Sequence, residues 1–68
     1  MLKESDILFE MGDYWVHWDK RLECYLIMQN GFTYSKEIAR TYLKGEEGLN
    51  KARRIIKTRY ESENKVHG

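Results

Sequence analysis

Two side chains suited to metal binding or nucleophilic chemistry, His17 and Cys24, are predicted to lie opposite each other on neighbouring strands. Such a pair can supply two metal ligands or place a base beside a thiol. No third ligand and no acid that would orient the imidazole accompanies them, and His67 lies in a terminal segment expected to fray. We therefore expect a half-buried histidine and a small core cysteine, with no metal ligand and no catalytic residue.

A second motif, Gly45-Glu46-Glu47-Gly48, superficially resembles a phosphate-binding loop ahead of a helix. It lacks the Gly-Lys-Ser/Thr ending of those loops, and it would present two carboxylates to any phosphate. The motif is therefore predicted to be a loop and helix cap, and no cofactor is expected.

The third candidate is a run of five positive charges, without an acidic residue, between Leu49 and Tyr60. Lys51, Arg54 and Lys57 would project away from the apolar side of a helix, where they could bind phosphates in a salt-sensitive way. Against this stand the acidic residues one turn later, a net charge of +1, and the lack of a helix-turn-helix or RNA-binding aromatic motif. A solvated basic face is the ordinary interpretation, and nucleic-acid binding is the alternative function.

Strands are predicted to position these residues, over 14–18, 23–29 and 32–35. Asn30-Gly31 is the sharpest turn signal, because a two-residue type I′ turn needs positive φ at both central positions. Lys20-Arg21 is taken as a second two-residue loop.

Residues 7–11 are predicted to form a leading edge strand that ends at a Gly12-Asp13 turn of type II′. The alternative is a helical turn capped by Ser5 or Asp6.

The predicted register divides the side chains between two faces. The predicted core face comprises Tyr14, Val16, Trp18, Tyr25, Ile27, Phe32 and Tyr34, joined by Ile7, Phe9 and Met11 if the leading strand pairs. The opposite face would carry Trp15, His17, Cys24, Leu26, Met28, Thr33 and Ser35.

One long helix can cover one face of a small sheet, so the second face is expected to be partly open. Its members Trp15, His17, Leu26 and Met28 would then form a protein-interaction face. Alternatively the strands curl and the termini cover this face. A one-residue change in the Lys20-Arg21 loop would exchange the two faces.

Residues 36–45 are assigned as a connector, although their apolar spacing would also suit a short helix or an extension of the last strand. The clear helix runs over 46–63, and residues 64–68 are expected to fray. Its apolar stripe comprises Leu49, Ala52, Ile56 and Tyr60, with Ile55 on the flank. The predicted fold is α+β: an antiparallel meander of three to four strands with one C-terminal helix on one face.

With 68 residues, 41% apolar and 34% charged, the chain is predicted to be a single globular domain, 1–68. No run approaches the roughly 18 apolar residues of a membrane span, and the first six residues lack the features of a signal peptide. The single cysteine agrees with a reducing compartment, so a cytoplasmic location is expected. Residues 1–32 carry a net charge of −3 and residues 33–68 a net charge of +4, which makes the helix half basic.

A pattern of turn and core residues extends over most of the chain. It comprises Tyr14-Trp15-Val16, Tyr25, Ile27, Asn30-Gly31, Thr33, Ser35, Gly45-Glu46, Gly48-Leu49 and Ala52. In spacing it resembles short uncharacterised accessory proteins of temperate phages and plasmids of enteric bacteria. The resemblance implies a shared fold more than a shared activity, and a mobile-element protein that binds and blocks or redirects a host protein. It assigns no functional residue.

The sequence thus predicts a small non-enzymatic interaction protein, encoded by a phage or prophage, that binds and modulates a host protein. It would bind that protein, or a second copy of itself, through the open face around Trp15, Leu26 and Met28 or through an edge strand. No paired acid, base or nucleophile with an orienting third group indicates an enzyme. No small-molecule substrate and no membrane partner are expected.

Overall fold

The computed structural model describes residues 6–64, which form a four-stranded antiparallel sheet with a C-terminal helix packed on it. The elements are β1 (Phe9–Met11), β2 (Tyr14–Asp19), β3 (Cys24–Asn30), β4 (Ser35–Thr41) and α1 (Gly45–Asn64). The strands lie in the sheet in chain order. The predicted α+β class and the four-stranded form of the meander are confirmed.

The β1–β2 hairpin forms as predicted. Met11 pairs with Tyr14, and Gly12 between them has φ +62°, as the first central residue of a type II′ turn requires. Phe9 and Met11 pack against the core, as predicted for the leading strand. The strand begins at Phe9, two residues later than predicted, and the alternative helical turn over 7–11 is wrong. Ser5, a proposed cap of that turn, lies outside the described residues.

The β2–β3 loop is longer than the predicted Lys20-Arg21 turn. Asp19 pairs with Cys24, so residues 20–23 form the loop. The Asp19 side chain accepts a hydrogen bond from the Leu22 N–H at 2.8 Å, and Glu23 takes a left-handed conformation with φ 53°. The register therefore shifts by two residues, which leaves every β2 and β3 side chain on its predicted face.

The β3–β4 loop does not form the predicted type I′ turn. Asn30 pairs with Ser35, residues 31–34 form the loop, and neither Asn30 nor Gly31 has positive φ. The Asn30 side chain instead accepts hydrogen bonds from Trp15 Nε1 at 2.8 Å and Ser35 Oγ at 2.7 Å. These contacts outweigh the Asn-Gly turn preference, so the strand predicted over 32–35 begins at Ser35.

The predicted connector over 36–45 is wrong for most of its length, because β4 occupies Ser35–Thr41. The alternative that this segment extends the last strand is confirmed as far as Thr41, and the short helix is wrong. A bulge interrupts its pairing with β3: Ile27 pairs with Ala39 and Met28 with Glu37, which leaves Ile38 as the extra residue. Ile38 and Ala39 both pack against the core, and two adjacent inward residues break the period of two that a strand normally shows.

The core lies between α1 and the face of the sheet that contains Tyr14. Its buried members are Tyr14, Val16, Tyr25, Ile27, Ala52 and Ile56. Partly buried residues pack around them: Phe9, Met11, Trp18, Ile38, Ala39, Leu49 and Ile55. The predicted core face is thus confirmed for β2 and β3 and wrong for Phe32 and Tyr34, which are exposed.

The start of α1 is held close to the sheet at Gly48. A Cβ atom there would lie 1.9 Å from the Leu43 carbonyl oxygen and 2.6 Å from Tyr25 Cε2, so glycine is required for this approach. The Tyr25 hydroxyl donates to the Gly45 carbonyl at 2.9 Å. The observed helix exceeds the predicted 46–63 by one residue at each end, and residues 65–68 of the predicted frayed tail lie outside the described residues.

Near its other end α1 is tied to the sheet through Tyr14, whose hydroxyl donates to the Glu63 carboxylate. Gln29 Nε2 donates to the same hydroxyl at 3.4 Å. The hydrogen bond to Glu63, together with burial, raises the pKa of the Tyr14 hydroxyl above its usual value.

Candidate protein-interaction surfaces

The predicted interaction face does not expose its aromatic and aliphatic members. Trp15, His17 and Leu26 lie on the side of the sheet away from α1, but each is only 8% exposed, and Met28 is half-buried. The Trp15 and His17 rings pack together with centroids 5.3 Å apart, and the indole N–H is bonded to Asn30. The prediction that this group is an open face is therefore wrong. The alternative, in which the termini cover the face, involves residues 1–5 and 65–68, which lie outside the described residues.

His17 and Cys24 are not direct cross-strand partners. The two-residue register shift pairs His17 with Leu26 and Cys24 with Asp19. Cys24 is fully buried, and residues 6–64 contain no group of three side chains able to hold a metal ion. The structure thus lacks the direct cross-strand pairing of His17 and Cys24 that motivated the metal or thiol hypothesis.

The β3–β4 loop, Gly31–Tyr34, contains the two most exposed large apolar side chains among the described residues. We call it the aromatic loop. Phe32 has 106% of its reference accessible area, and Tyr34 has 74%. Single exposed apolar residues are ordinary on protein surfaces, whereas larger contiguous apolar patches mark interaction sites, and here two exposed aromatic rings lie within three residues of one short loop. The sequence does not indicate this site, because alternating aromatic residues after Asn-Gly are typical of a half-buried strand.

The backbone of the aromatic loop is held without help from either ring. The Gly31 N–H donates to the Tyr34 carbonyl at 2.9 Å, and the Asn30 N–H donates to the Asp13 carbonyl at 2.8 Å. A Cβ atom on Gly31 would lie 2.6 Å from the Tyr34 carbonyl oxygen, so the loop also requires glycine there. The loop therefore presents Phe32 and Tyr34 from a fixed base.

The basic face predicted for the helix is formed on α1. Lys51, Arg54 and Lys57 are all exposed, and none of them makes an ion pair with another residue in the described range. Lys51 and Arg54 line an open groove of about 450 Å³. The groove also contains Leu43, Asn50 and Glu47, so a carboxylate lies among the cations.

A third exposed group lies on β4. Arg40 donates to both carboxylate oxygens of Glu37, with donor–acceptor distances of 2.6 and 2.8 Å, and to the Tyr42 hydroxyl at 3.1 Å. The bond from Arg40 lowers the pKa of the Glu37 carboxyl, and the same bond raises the pKa of the guanidinium. Glu37 and Arg40 are three residues apart yet share a face because the bulge lies between them.

A scan against protein-family models and searches among curated proteins and solved structures gave no match. The resemblance to phage and plasmid accessory proteins therefore stays a prediction. Within residues 6–64, no helix combines the length and the apolar character that crossing a membrane requires.

Proposed function

We propose that this chain is a small non-enzymatic protein that binds a partner protein through its aromatic loop. The observation that supports the proposal is the exposure of Phe32 and Tyr34 on a loop whose hydrogen bonds do not involve either ring. The resemblance in spacing adds a biological setting: a phage- or prophage-encoded protein in the cytoplasm of a bacterial host, which modulates a host protein.

The energetics favour such a role for the two rings. An aromatic side chain buries about 150–250 Å² when it is enclosed, and at about 25 cal/mol per Å² each ring would contribute several kcal/mol to binding. Aromatic residues are enriched among the side chains that dominate protein interfaces. A fixed loop also loses less conformational entropy on binding than a mobile one, which favours affinity.

The shape of the loop defines what the partner must offer. Phe32 and Tyr34 project from a convex hairpin end, so the complementary surface is a concave apolar pocket. No charged residue lies between Gly31 and Ser35, so the affinity should depend little on salt.

Affinity capture from nuclease-treated lysate of an enteric bacterium tests the proposal, with the wild-type chain and the double variant Phe32→Ser with Tyr34→Ser as baits. The captured protein is then purified, and its dissociation constant is measured by calorimetry. The double variant should weaken binding at least about a hundredfold, since each ring is expected to act as an anchor. Leu22→Ser, which removes an exposed apolar side chain from the β2–β3 loop, is the matched control and should leave the affinity unchanged.

A partner that binds the double variant as tightly as the wild type would show that the aromatic loop is not the binding site. Circular dichroism of both baits checks that the substitutions leave the fold intact.

Nucleic-acid binding by α1 is the second candidate, favoured by the three exposed cations that lack ion-pair partners within the described residues. Fluorescence anisotropy with duplex and single-stranded probes at low and physiological salt tests it. Binding through this face should collapse as salt rises and should be abolished by Arg54→Glu with Lys57→Glu. Lys20→Glu with Arg21→Glu, in the exposed β2–β3 loop, changes the net charge equally and serves as the control.

A further inference from the structure

Strand β4 forms one edge of the sheet, and no other described strand pairs with its outer side. The opposite edge strand, β1, has three residues, whereas β4 has seven. An edge of this length presents a row of free N–H and C=O groups that can pair with another strand. We infer that β4 pairs antiparallel with β4 of a second copy of this chain, which joins the two four-stranded sheets into one. This inference does not depend on the aromatic loop.

The hydrogen bonds of β3 show which backbone groups of β4 point outwards. The Asn30 N–H donates to Asp13 on the β2 side, so alternate residues of β3 face β4. These are Gln29, Ile27 and Tyr25, and their β4 partners are Lys36, Ala39 and Thr41. The other β3 residues, Asn30, Met28 and Leu26, face β2, so their β4 partners Ser35, Glu37 and Arg40 point outwards.

The bulge does not block this outer edge. Bulges usually hinder edge pairing because they bend the strand and disturb the row of free groups. Here the two bulge residues, Ile38 and Ala39, lie opposite the single residue Ile27 on the inner side. No described strand pairs with the outward N–H and C=O groups of Glu37 and Arg40, which lie on either side of the bulge.

Suppose that the two copies are related by a two-fold axis that passes between Ile38 and Ala39. The outward-pointing residues of one β4 then lie opposite outward-pointing residues of the other along the whole strand. Glu37 then lies opposite Arg40 of the second copy, and Arg40 lies opposite its Glu37. If the axis passed through Glu37 or Arg40 instead, that residue would lie opposite its own copy and like charges would meet. If it passed through Ile38, outward-pointing residues of one strand would lie opposite inward-pointing residues of the other. The register is therefore selected by both backbone direction and charge.

The side chains at this edge are already arranged for such a contact. The Arg40 guanidinium is held beside Glu37 by two hydrogen bonds, at 2.6 and 2.8 Å, and beside Tyr42 by a third. In the dimer two of these ion pairs would lie side by side with alternating sign, on the sheet face away from α1. Opposite charges across an interface favour one register and disfavour others.

Sedimentation equilibrium from micromolar to millimolar protein tests the inference. The wild type should show a reversible monomer–dimer equilibrium, and Arg40→Glu should weaken dimerisation at least about tenfold because four carboxylates then meet at the edge. Glu37→Arg combined with Arg40→Glu should restore it, since every cross-strand pair regains opposite signs. All three proteins differ only at exposed or partly exposed edge positions.

Amide hydrogen exchange of the wild type gives a second measurement that needs no variant. The Glu37 and Arg40 N–H groups should exchange more slowly at high protein concentration, while those of Ala39 and Thr41, which face β3, should not change with concentration. A monomer at every concentration would overturn the inference. A dimer unaffected by Arg40→Glu, or one lost on Phe32→Ser, would also overturn it, because the contact would then lie elsewhere.

Discussion

The sheet face away from α1 and the aromatic loop carry similar side chains in opposite environments. Trp15 and Leu26 are nearly buried although no described helix covers them, whereas Phe32 and Tyr34 are exposed although they directly follow a core strand. Apolar character alone therefore does not decide which side chains of this chain leave the solvent.

Asn30 connects the two environments. Its side-chain oxygen accepts the Trp15 indole N–H, and an aromatic residue with a polar handle is readily buried only when that handle is bonded. The same oxygen accepts the Ser35 hydroxyl at the position where β4 begins, and this leaves residues 31–34 outside the sheet. One acceptor thus favours burial of Trp15 and exposure of Phe32 and Tyr34.

The largest expected effect is the difference between removing a ring from each region. Trp15→Ala should lower the free energy of unfolding by about 3–5 kcal/mol, because it leaves a cavity and frees Asn30. For a domain this small that loss approaches the whole stability. Phe32→Ala, at a fully exposed position, should change it by less than about 0.5 kcal/mol.

Urea denaturation followed by circular dichroism measures both variants. Equal destabilisation by the two substitutions would mean that Phe32 is packed in solution, and the contrast between the two regions would disappear.

An intermediate effect is expected from Asn30→Ala, which removes the shared acceptor. The buried indole N–H loses its partner, so the free energy of unfolding should fall by about 1–3 kcal/mol. The tryptophan fluorescence, to which Trp15 and Trp18 both contribute, should also shift as the surroundings of Trp15 change. Asn30→Asp keeps an acceptor oxygen and is the matched control, expected to retain most of the stability. A stable Asn30→Ala protein with unchanged spectra would show that Asn30 does not link the regions.

A smaller effect is expected on the helix-covered face from Tyr14→Phe. Loss of the hydrogen bond to Glu63 should cost about 1 kcal/mol at neutral pH. Because the pKa of Tyr14 is raised in the folded state, the stabilisation by its neutral hydroxyl is complete below the unfolded value near 10 and is lost as pH rises through the folded value.

Denaturation of the wild type and Tyr14→Phe from neutral pH to above pH 10 measures this difference. The two stabilities should converge at the alkaline end of the range. A constant difference across that range would contradict the coupling of Tyr14 to Glu63.

Predictions from local sequence signals were correct for those features that depend mainly on residues close together in the sequence. The Gly12-Asp13 turn, the β2 and β3 strands, and the buried helix residues Ala52 and Ile56 follow from turn chemistry and periodicity. The predicted faces of β2 and β3 also survived an incorrect loop length, because the error was two residues and side chains alternate with a period of two.

The candidate sites were harder to predict, because each depends on contacts between distant parts of the chain. The prediction of an open interaction face was wrong, and one contact that it did not anticipate is the hydrogen bond from the Trp15 indole N–H to Asn30, fifteen residues away in the sequence. The sequence left open whether residues 36–43 extend the last strand, because the bulge places Ile38 and Ala39 on the same side of β4 and so interrupts the period of two that identifies a strand. The basic cations of α1 were predicted correctly as exposed, since a helix face opposite an apolar stripe is determined by the local period.

The sequence by itself determined the α+β class, the apolar stripe of α1 and the core face of β2 and β3, because these follow from backbone preferences and periodicity over a few residues. The tertiary structure alone decided where β4 begins and which aromatic rings remain in solvent. Those outcomes depend on the side chain of Asn30, whose partners Trp15 and Ser35 meet only when the strands are assembled. A polar group that can satisfy either its own turn or a distant neighbour takes the arrangement that leaves fewer buried groups unpaired.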